Sequence, residues 1–268
     1  MPRLRKLVCL AVIFIFAAGF PYFNYLRPKY IVPITMYHSV VPENNPKNII
    51  SVSAHTFERQ MRFLKTRKYN VIPLVELAYL IREKKKIPPK TIVITFDDGW
   101  DNVYKYAFPV LKKYKLPATF FIITNEVGRI GPLGYCDRVS WDEIRDMQNS
   151  GLISIGSHCL GPEPLINIKS GEIVKREIFD SKKVLQQKLG RPVELFSYPE
   201  GRFDAKIRNM VIEAGYTCAV ATKPGKNYPN DDVFALKRLR ISENAGNLFV
   251  FWFETTGYYT FLRENKRK

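Results

Sequence analysis

The chain has 268 residues, 46% of them hydrophobic and 25% charged, a balance that excludes a disordered chain, a collagen-like repeat and a polytopic membrane protein. Its four cysteines exclude a disulfide framework. Lys and Arg outnumber Asp and Glu by 42 to 25; the net charge of +17 points to an anionic partner or a solubilising surface, and with no nucleic-acid-binding motif beside it, nucleic acid is not an expected partner.

Arg3, Arg5 and Lys6 precede an uncharged apolar run from Leu7 to Phe23. This is the plan of a secretory signal or of a signal-anchor. Ala17-Ala18-Gly19 suits cleavage, whereas Pro21, Tyr22, Phe23 and Tyr25 suit a retained transmembrane anchor with an interfacial aromatic belt. The anchor is the favoured reading of residues 1–30. Either form puts the body outside the cytoplasm, on the periplasmic or cell-surface side of a membrane. There Cys136, Cys159 and Cys218 allow at most one disulfide, whose pairing stays open.

Strands and helices alternate from there on. Ile31–Met36 reads as a buried strand, and a polar Asn- and Pro-rich loop follows at 42–48. Ser53–Lys68 has helical spacing, with Phe57, Met61 and Leu64 on one face and Ser53 as N-cap. A short strand at Val71–Leu74 leads to a helix over Val75–Lys86. Thr91–Phe96 is a continuous β-branched apolar run, as expected of a strand buried on both faces. Next come a helix over Tyr104–Tyr114, a strand at Ala118–Thr124, a helix over Ser140–Ser150 and a strand at Leu152–Ile155. A charged helix over Gly171–Leu189 precedes a strand at Val193–Tyr198, a helix over Ala205–Ala214 and strands at Thr217–Ala221 and Val233–Ile241. The pattern predicts one α/β domain built on a parallel sheet or barrel.

Ligands of parallel α/β folds gather at the carboxyl ends of the strands. His38, Asp97, Asp98, Ser157, His158, Glu200, Arg238 and Arg240 all fall there. Two adjacent aspartates after an apolar strand repel each other and call for a compensating cation. Alternation aims them apart, so one can ligate a metal while the other acts as a base. His158, in the same crevice as Asp98, is a metal-ligand candidate.

The motifs now on the page resemble those of the polysaccharide deacetylases, the NodB-homology family (carbohydrate esterase family 4). Thr95-Phe96-Asp97-Asp98-Gly99 resembles its first signature. Ile155-Gly156-Ser157-His158 resembles the run into the second, and Phe196-Ser197-Tyr198-Pro199-Glu200-Gly201 resembles the third. Met36-Tyr37-His38-Ser39 is similar to an N-terminal motif of the branch acting on poly-N-acetylglucosamine. The resemblance implies a distorted (β/α) barrel of about seven strands over residues 31–245. It also implies metal-dependent hydrolysis of N-acetyl groups from a glycan or glycolipid. By the same resemblance Asp97 would be the general base, and Asp98 and His158 would be ligands of a divalent metal, zinc first, with cobalt, manganese or nickel as alternatives. The backbone N–H of Glu200 would hold the oxyanion, His38 would protonate the leaving amine, and Arg238 would orient Asp97.

The second signature departs from the family pattern. Pro162 stands where a second histidine is usual, and Glu163 one residue later is the expected substitute ligand. Glu200 stands where an aromatic residue is common. These departures keep open a weak or inactive glycan-binding relative beside the active deacetylase. Residues 246–268 form an aromatic and basic C-terminal tail, read either as a last element packed on the barrel or as a membrane-interface segment.

Overall fold

A computed structural model describes residues 30–43, 50–131, 137–222 and 231–265. The anchor expected at residues 1–30 lies outside these except for Tyr30, as do Cys9 and Cys136. Among the described residues, no helix is long and apolar enough to cross a membrane.

Strands β1 (Ile34–Tyr37), β2 (Ser39–Val41) and β3 (Ser51–Ser53) open the fold and lead into helix α1 (Ala54–Thr66). Ser53 caps α1 by accepting the Thr56 N–H at 3.1 Å, and Phe57, Met61 and Leu64 line its buried face. Each such side chain is worth about 1.5–3 kcal/mol of burial. Strand β4 (Asn70–Val71) is shorter than its sequence suggests. Pro73 is the N-cap of the next helix, so Leu74 opens α2 (Leu74–Arg82) rather than ending a strand. Strand β5 (Thr91–Phe96) is buried at all six positions. A π-turn at Val103–Ala107 runs into α3 (Phe108–Tyr114), then β6 (Ala118–Ile122), α4 (Trp141–Asn149) and β7 (Ile153–Ser157). A Ser140–Glu143 capping box starts α4. Helix α5 (Gly171–Leu189), β8 (Leu195–Ser197), α6 (Ala205–Glu213), β9 (Cys218–Ala221), β10 (Leu236–Lys237) and β11 (Leu239–Arg240) follow. Within the C-terminal tail two helices form, α7 (Leu248–Glu254) and α8 (Tyr259–Asn265).

The main sheet runs β10-β9-β8-β7-β6-β5-β1-β11, every pairing parallel, with β4 on the start of β5. Arg238 separates β10 from β11. One short length of chain therefore pairs with β9 through its first half and with β1 through its second, and this closes the ring. Counting that length once, the ring is the distorted (β/α) barrel expected, with seven strand positions. The parallel β2–β3 pair stands apart from it, and was not legible in two three-residue strands.

Ile34, Val93, Phe121, Leu195, Val220 and Leu236 come from six strands around the ring yet form one apolar cluster, so they fill its interior, with Leu74 and Leu77 of α2 added to it. Ile92, Ile94 and Phe96 alternate with Val93 and join the larger cluster beneath the outer helices. Gly156 on β7 makes room for the Phe121 ring: a Cβ there would lie 2.5 Å from it.

Candidate active site at the mouth of the barrel

Strand alternation carries the inward face of β5 from Val93 through Thr95 to Asp97, just past the strand. Asp98 and Gly99 then take left-handed backbone at φ +74° and +72°. For a non-glycine residue this is strained, and it turns the two neighbouring carboxylates to different partners.

Asp97 is 3% exposed and Arg238 1%. Arg238 Nη1 donates to Asp97 Oδ1 at 2.7 Å and Nη2 to Oδ2 at 2.6 Å, a bidentate pair. Arg238 also donates to Ser197 Oγ at 2.9 Å and Thr95 Oγ1 at 3.3 Å, and Ser197 Oγ lies 3.4 Å from Asp97 Oδ2. Burial alone would raise the Asp97 pKa, but Arg238 outweighs it and holds this carboxyl below its usual range. One Oδ1 lone pair stays open after the Arg238 bond, enough to accept a proton from water.

His158 follows β7, where its N–H donates to Ile122 O at 2.8 Å. Its Nδ1 lies 2.8 Å from Ser197 O. A carbonyl only accepts, so Nδ1 carries the proton and Nε2 faces Asp98 Oδ1, 3.5 Å away. Burial works against a charged imidazole here, but Asp97 and the bond to Asp98 outweigh it and raise the pKa. Asp98 is likewise penalised by burial, yet His158 pulls its pKa well below the carboxylate range. An oxygen and an aromatic nitrogen thus converge with Nε2 freed by its ring partner, a donor pair suited to a divalent cation.

His38 lies close enough to Asp97, Asp98, Arg238 and His158 to feel all four. Burial lowers its pKa against the pull of the two aspartates, and its Nδ1 is buried with no hydrogen-bond partner. Glu200 follows β8 in the Pro199–Gly201 turn at φ +55°, with its side chain in solvent near Arg202 at 3.4 Å.

The structure does not bring Glu163 to this cluster. After His158 the chain turns through Cys159 at φ +69°, and the Leu160 and Gly161 N–H groups donate to Glu177 Oε2 at 3.0 and 2.8 Å. Flanked by Pro162 and Pro164, Glu163 is exposed and its Oε1 accepts from Asn167 Nδ2 at 3.1 Å. Among the described residues no three His, Cys, Asp or Glu side chains gather to hold a metal. Cys159 is fully buried in the outer core as a free thiol.

Two partners of Asp98 escaped the sequence reading. Trp100 Nε1 donates to Asp98 Oδ2 at 3.2 Å, and Arg138 Nη1 donates to Asp98 O at 2.6 Å while stacking 3.6 Å above the Trp100 ring. Trp100 adjoins the Asp-Asp-Gly turn and could have been suspected. Nothing local singles out Arg138, which a bridge between residues 100 and 138 brings there.

A sequence profile for polysaccharide deacetylase matches residues 84–219. YxkH of Bacillus subtilis (strain 168), named for the polysaccharide deacetylases, is 31% identical over 225 residues, 84% of this chain and 76% of that protein. The poly-beta-1,6-N-acetyl-D-glucosamine N-deacetylase of Staphylococcus aureus (strain MRSA252) is 29% identical over 202 residues, 73% of this chain and 69% of the relative. Among solved structures, the Streptococcus pyogenes deacetylase PplD in complex with acetate superposes with a TM-score of 0.72 at 25% identity, covering 82% of this chain and 97% of that one. With the Asp-Asp-Gly turn and His158 both inside the matched residues, the chain belongs to the polysaccharide deacetylase family.

Proposed function

We propose that the chain is a metal-dependent hydrolase that removes N-acetyl groups from amino-sugar residues of a polysaccharide or glycolipid, a poly-N-acetylglucosamine being the first candidate. The observation that carries this reading is the division of labour between adjacent carboxylates: Asp97 is locked to Arg238, and Asp98 faces the Nε2 of His158. The S. aureus relative is named for this reaction, and the acetate bound to the S. pyogenes relative is the acid such a reaction releases.

Asp98 and His158 would hold the cation, zinc or else cobalt, manganese or nickel. When bound, a divalent cation supplies Lewis-acid polarisation of the acetyl carbonyl and acidifies water. Asp97 takes the proton of the attacking water through its open Oδ1 lone pair, and Arg238 keeps that carboxylate ionised and aimed. The C–O bond forms, the amide C–N bond breaks, and His38 protonates the departing amine. The lowered pKa of His38 makes its protonated ring a stronger acid for that step. The Glu200 backbone N–H, at the sharp turn after Pro199, is assigned to the oxyanion.

The position of Glu163 on the surface favours a second reading, a glycan-binding relative with little turnover. Acetate release from N-acetylglucosamine oligomers, measured with added zinc, cobalt, manganese or nickel, separates the two. The enzyme reading expects metal-stimulated release that falls about 10²–10⁴-fold in Asp97→Asn, while the binding reading expects saccharide binding indifferent to that change. The segment before Tyr30 is proposed as a retained anchor, with the barrel outside the cytoplasm.

A further inference from the structure

Helix α7 has two apolar faces. Phe251 is fully buried, its ring 6.0 Å from that of Phe63 on α1. Phe249, Trp252 and Phe253 recur at helical spacing on the other side and are 69%, 43% and 40% exposed. Leu262 on α8 adds a further side chain at 43%. A single exposed apolar residue is ordinary, but three on one short helix form a patch that asks for a partner.

An open groove of about 550 Å³ runs between α7 and the end of α1. Phe63, Tyr69, Phe249 and Trp252 line it, and Arg67 and Lys90 edge it. Both cations are exposed, as are Arg62, Lys65 and Lys68 along the same end of α1. Aromatic side chains beside exposed cations match the chemistry of a bilayer interface, where rings sit among headgroups and cations meet phosphate.

The entry point of the chain agrees. Ile31 N–H donates to Gly257 O at 2.8 Å, and the Tyr30 ring stands edge-on to Tyr258 at 5.7 Å. A Cβ on Gly257 would lie 2.2 Å from the Tyr30 ring, so the two segments are in close contact. Burial, then Tyr258 and Tyr69, push the Tyr30 hydroxyl up to about 12. Tyr30 and Ile31 thus lie against the turn at Gly257 that follows α7.

We propose that the outer face of α7 and its groove are a membrane-contact surface: Phe249, Trp252 and Phe253 enter the headgroup–acyl boundary of an anionic bilayer, and Arg67 and Lys90 meet its phosphates. The surface shares no residue with the mouth of the barrel, so it stands whether or not the chain deacetylates glycans.

The test is amide hydrogen exchange of the full chain in detergent, in phosphatidylcholine vesicles and in vesicles containing phosphatidylglycerol. Exchange over 248–253 should slow about tenfold or more in the anionic vesicles, and high salt should reverse part of the effect. Arg67→Gln and Lys90→Gln should each weaken this protection by about fivefold. A second readout is quenching of tryptophan emission by brominated lipid, present in the native chain and reduced in Trp252→Ser, whose exposed position leaves the fold intact. Equal exchange in detergent and anionic vesicles overturns the proposal. So does protection already complete in detergent, which would mean that residues 1–29 cover the face. Protection that rises with protein concentration without lipid would mean a second copy covers it, and equally overturns the proposal.

Discussion

Replacing Arg238 with methionine would strand the Asp97 carboxylate, 3% exposed, in the barrel interior without its bidentate partner. Removing one member of a buried ion pair costs about 3–5 kcal/mol, because the remaining charge is uncompensated. Ser197 Oγ, 3.4 Å from Oδ2, is a neutral donor too distant to replace a guanidinium. The double variant Asp97→Asn/Arg238→Met removes both charges and should recover about 2 kcal/mol or more of that loss. The pH dependence has a definite sign. In the native protein Asp97 has a lowered pKa, so its pairing stabilises the fold above the unfolded carboxyl value of about 3.9 and is lost as pH falls below it. In Arg238→Met burial acts unopposed by the guanidinium, and the folded pKa moves above that value. The deficit is then largest at neutral pH and shrinks as acid protonates Asp97. Urea unfolding at neutral and mildly acidic pH, with acetate release measured alongside, reads both effects. Turnover should be lost in the single and the double variant alike. A cost below about 1 kcal/mol at neutral pH, or a double variant no more stable than the single one, would refute the buried pair as the determinant of Asp97.

His158→Ala should abolish divalent-metal binding in calorimetry, whereas Glu163→Gln, which loses only an exposed contact to Asn167, should leave the affinity within about twofold. Trp100→Phe removes the Nε1 donor to Asp98 Oδ2 and should weaken metal affinity about 10–100-fold in the same titration. Glu254 has a buried Oε2 with no partner, and burial raises its pKa to about 7 against the pull of Arg263. The folded state thus holds more protons than the unfolded one between the two pKa values, so stability should fall as pH rises from about 4.5 to 7. Glu254→Gln should remove that slope and stabilise the protein by about 1–3 kcal/mol above pH 8 in chemical denaturation. At Gly201, φ +67°, a Cβ would lie 2.3 Å from Thr222 N, so Gly201→Ala should cost about 2 kcal/mol or more of stability and distort the turn that carries Glu200.

Local patterns carried much of the fold. The unbroken Thr91–Phe96 run marked a buried parallel strand because both of its faces are covered, by the apolar interior on one side and the outer helices on the other. The Phe57, Met61, Leu64 spacing and the cap at Ser53 marked α1, since these signals lie within a turn or two of the helix they specify. Strand Val71–Leu74 was overdrawn because an apolar pair beside proline fits either a strand end or a helix start. In the C-terminal aromatic stretch, composition alone could not separate the buried Phe251 from the exposed Phe249, Trp252 and Phe253.

The sequence by itself determined which chemical groups stand at the ends of the strands. Alternation and apolar runs are short-range properties, and they carry Asp97, Asp98 and His158 to the same rim of any parallel sheet. Only the tertiary structure decided which groups meet. Asp97 and Arg238 are 141 residues apart and come into contact where the chain at 236–240 closes the ring between β9 and β1. Arg138 reaches the Asp98 backbone across an isolated bridge, and Glu163, five positions past His158, is turned outward by two prolines and by Glu177 on α5. Such partners depend on closure and loop path, which are set by packing summed over the whole ring and leave no local mark on the residues they join.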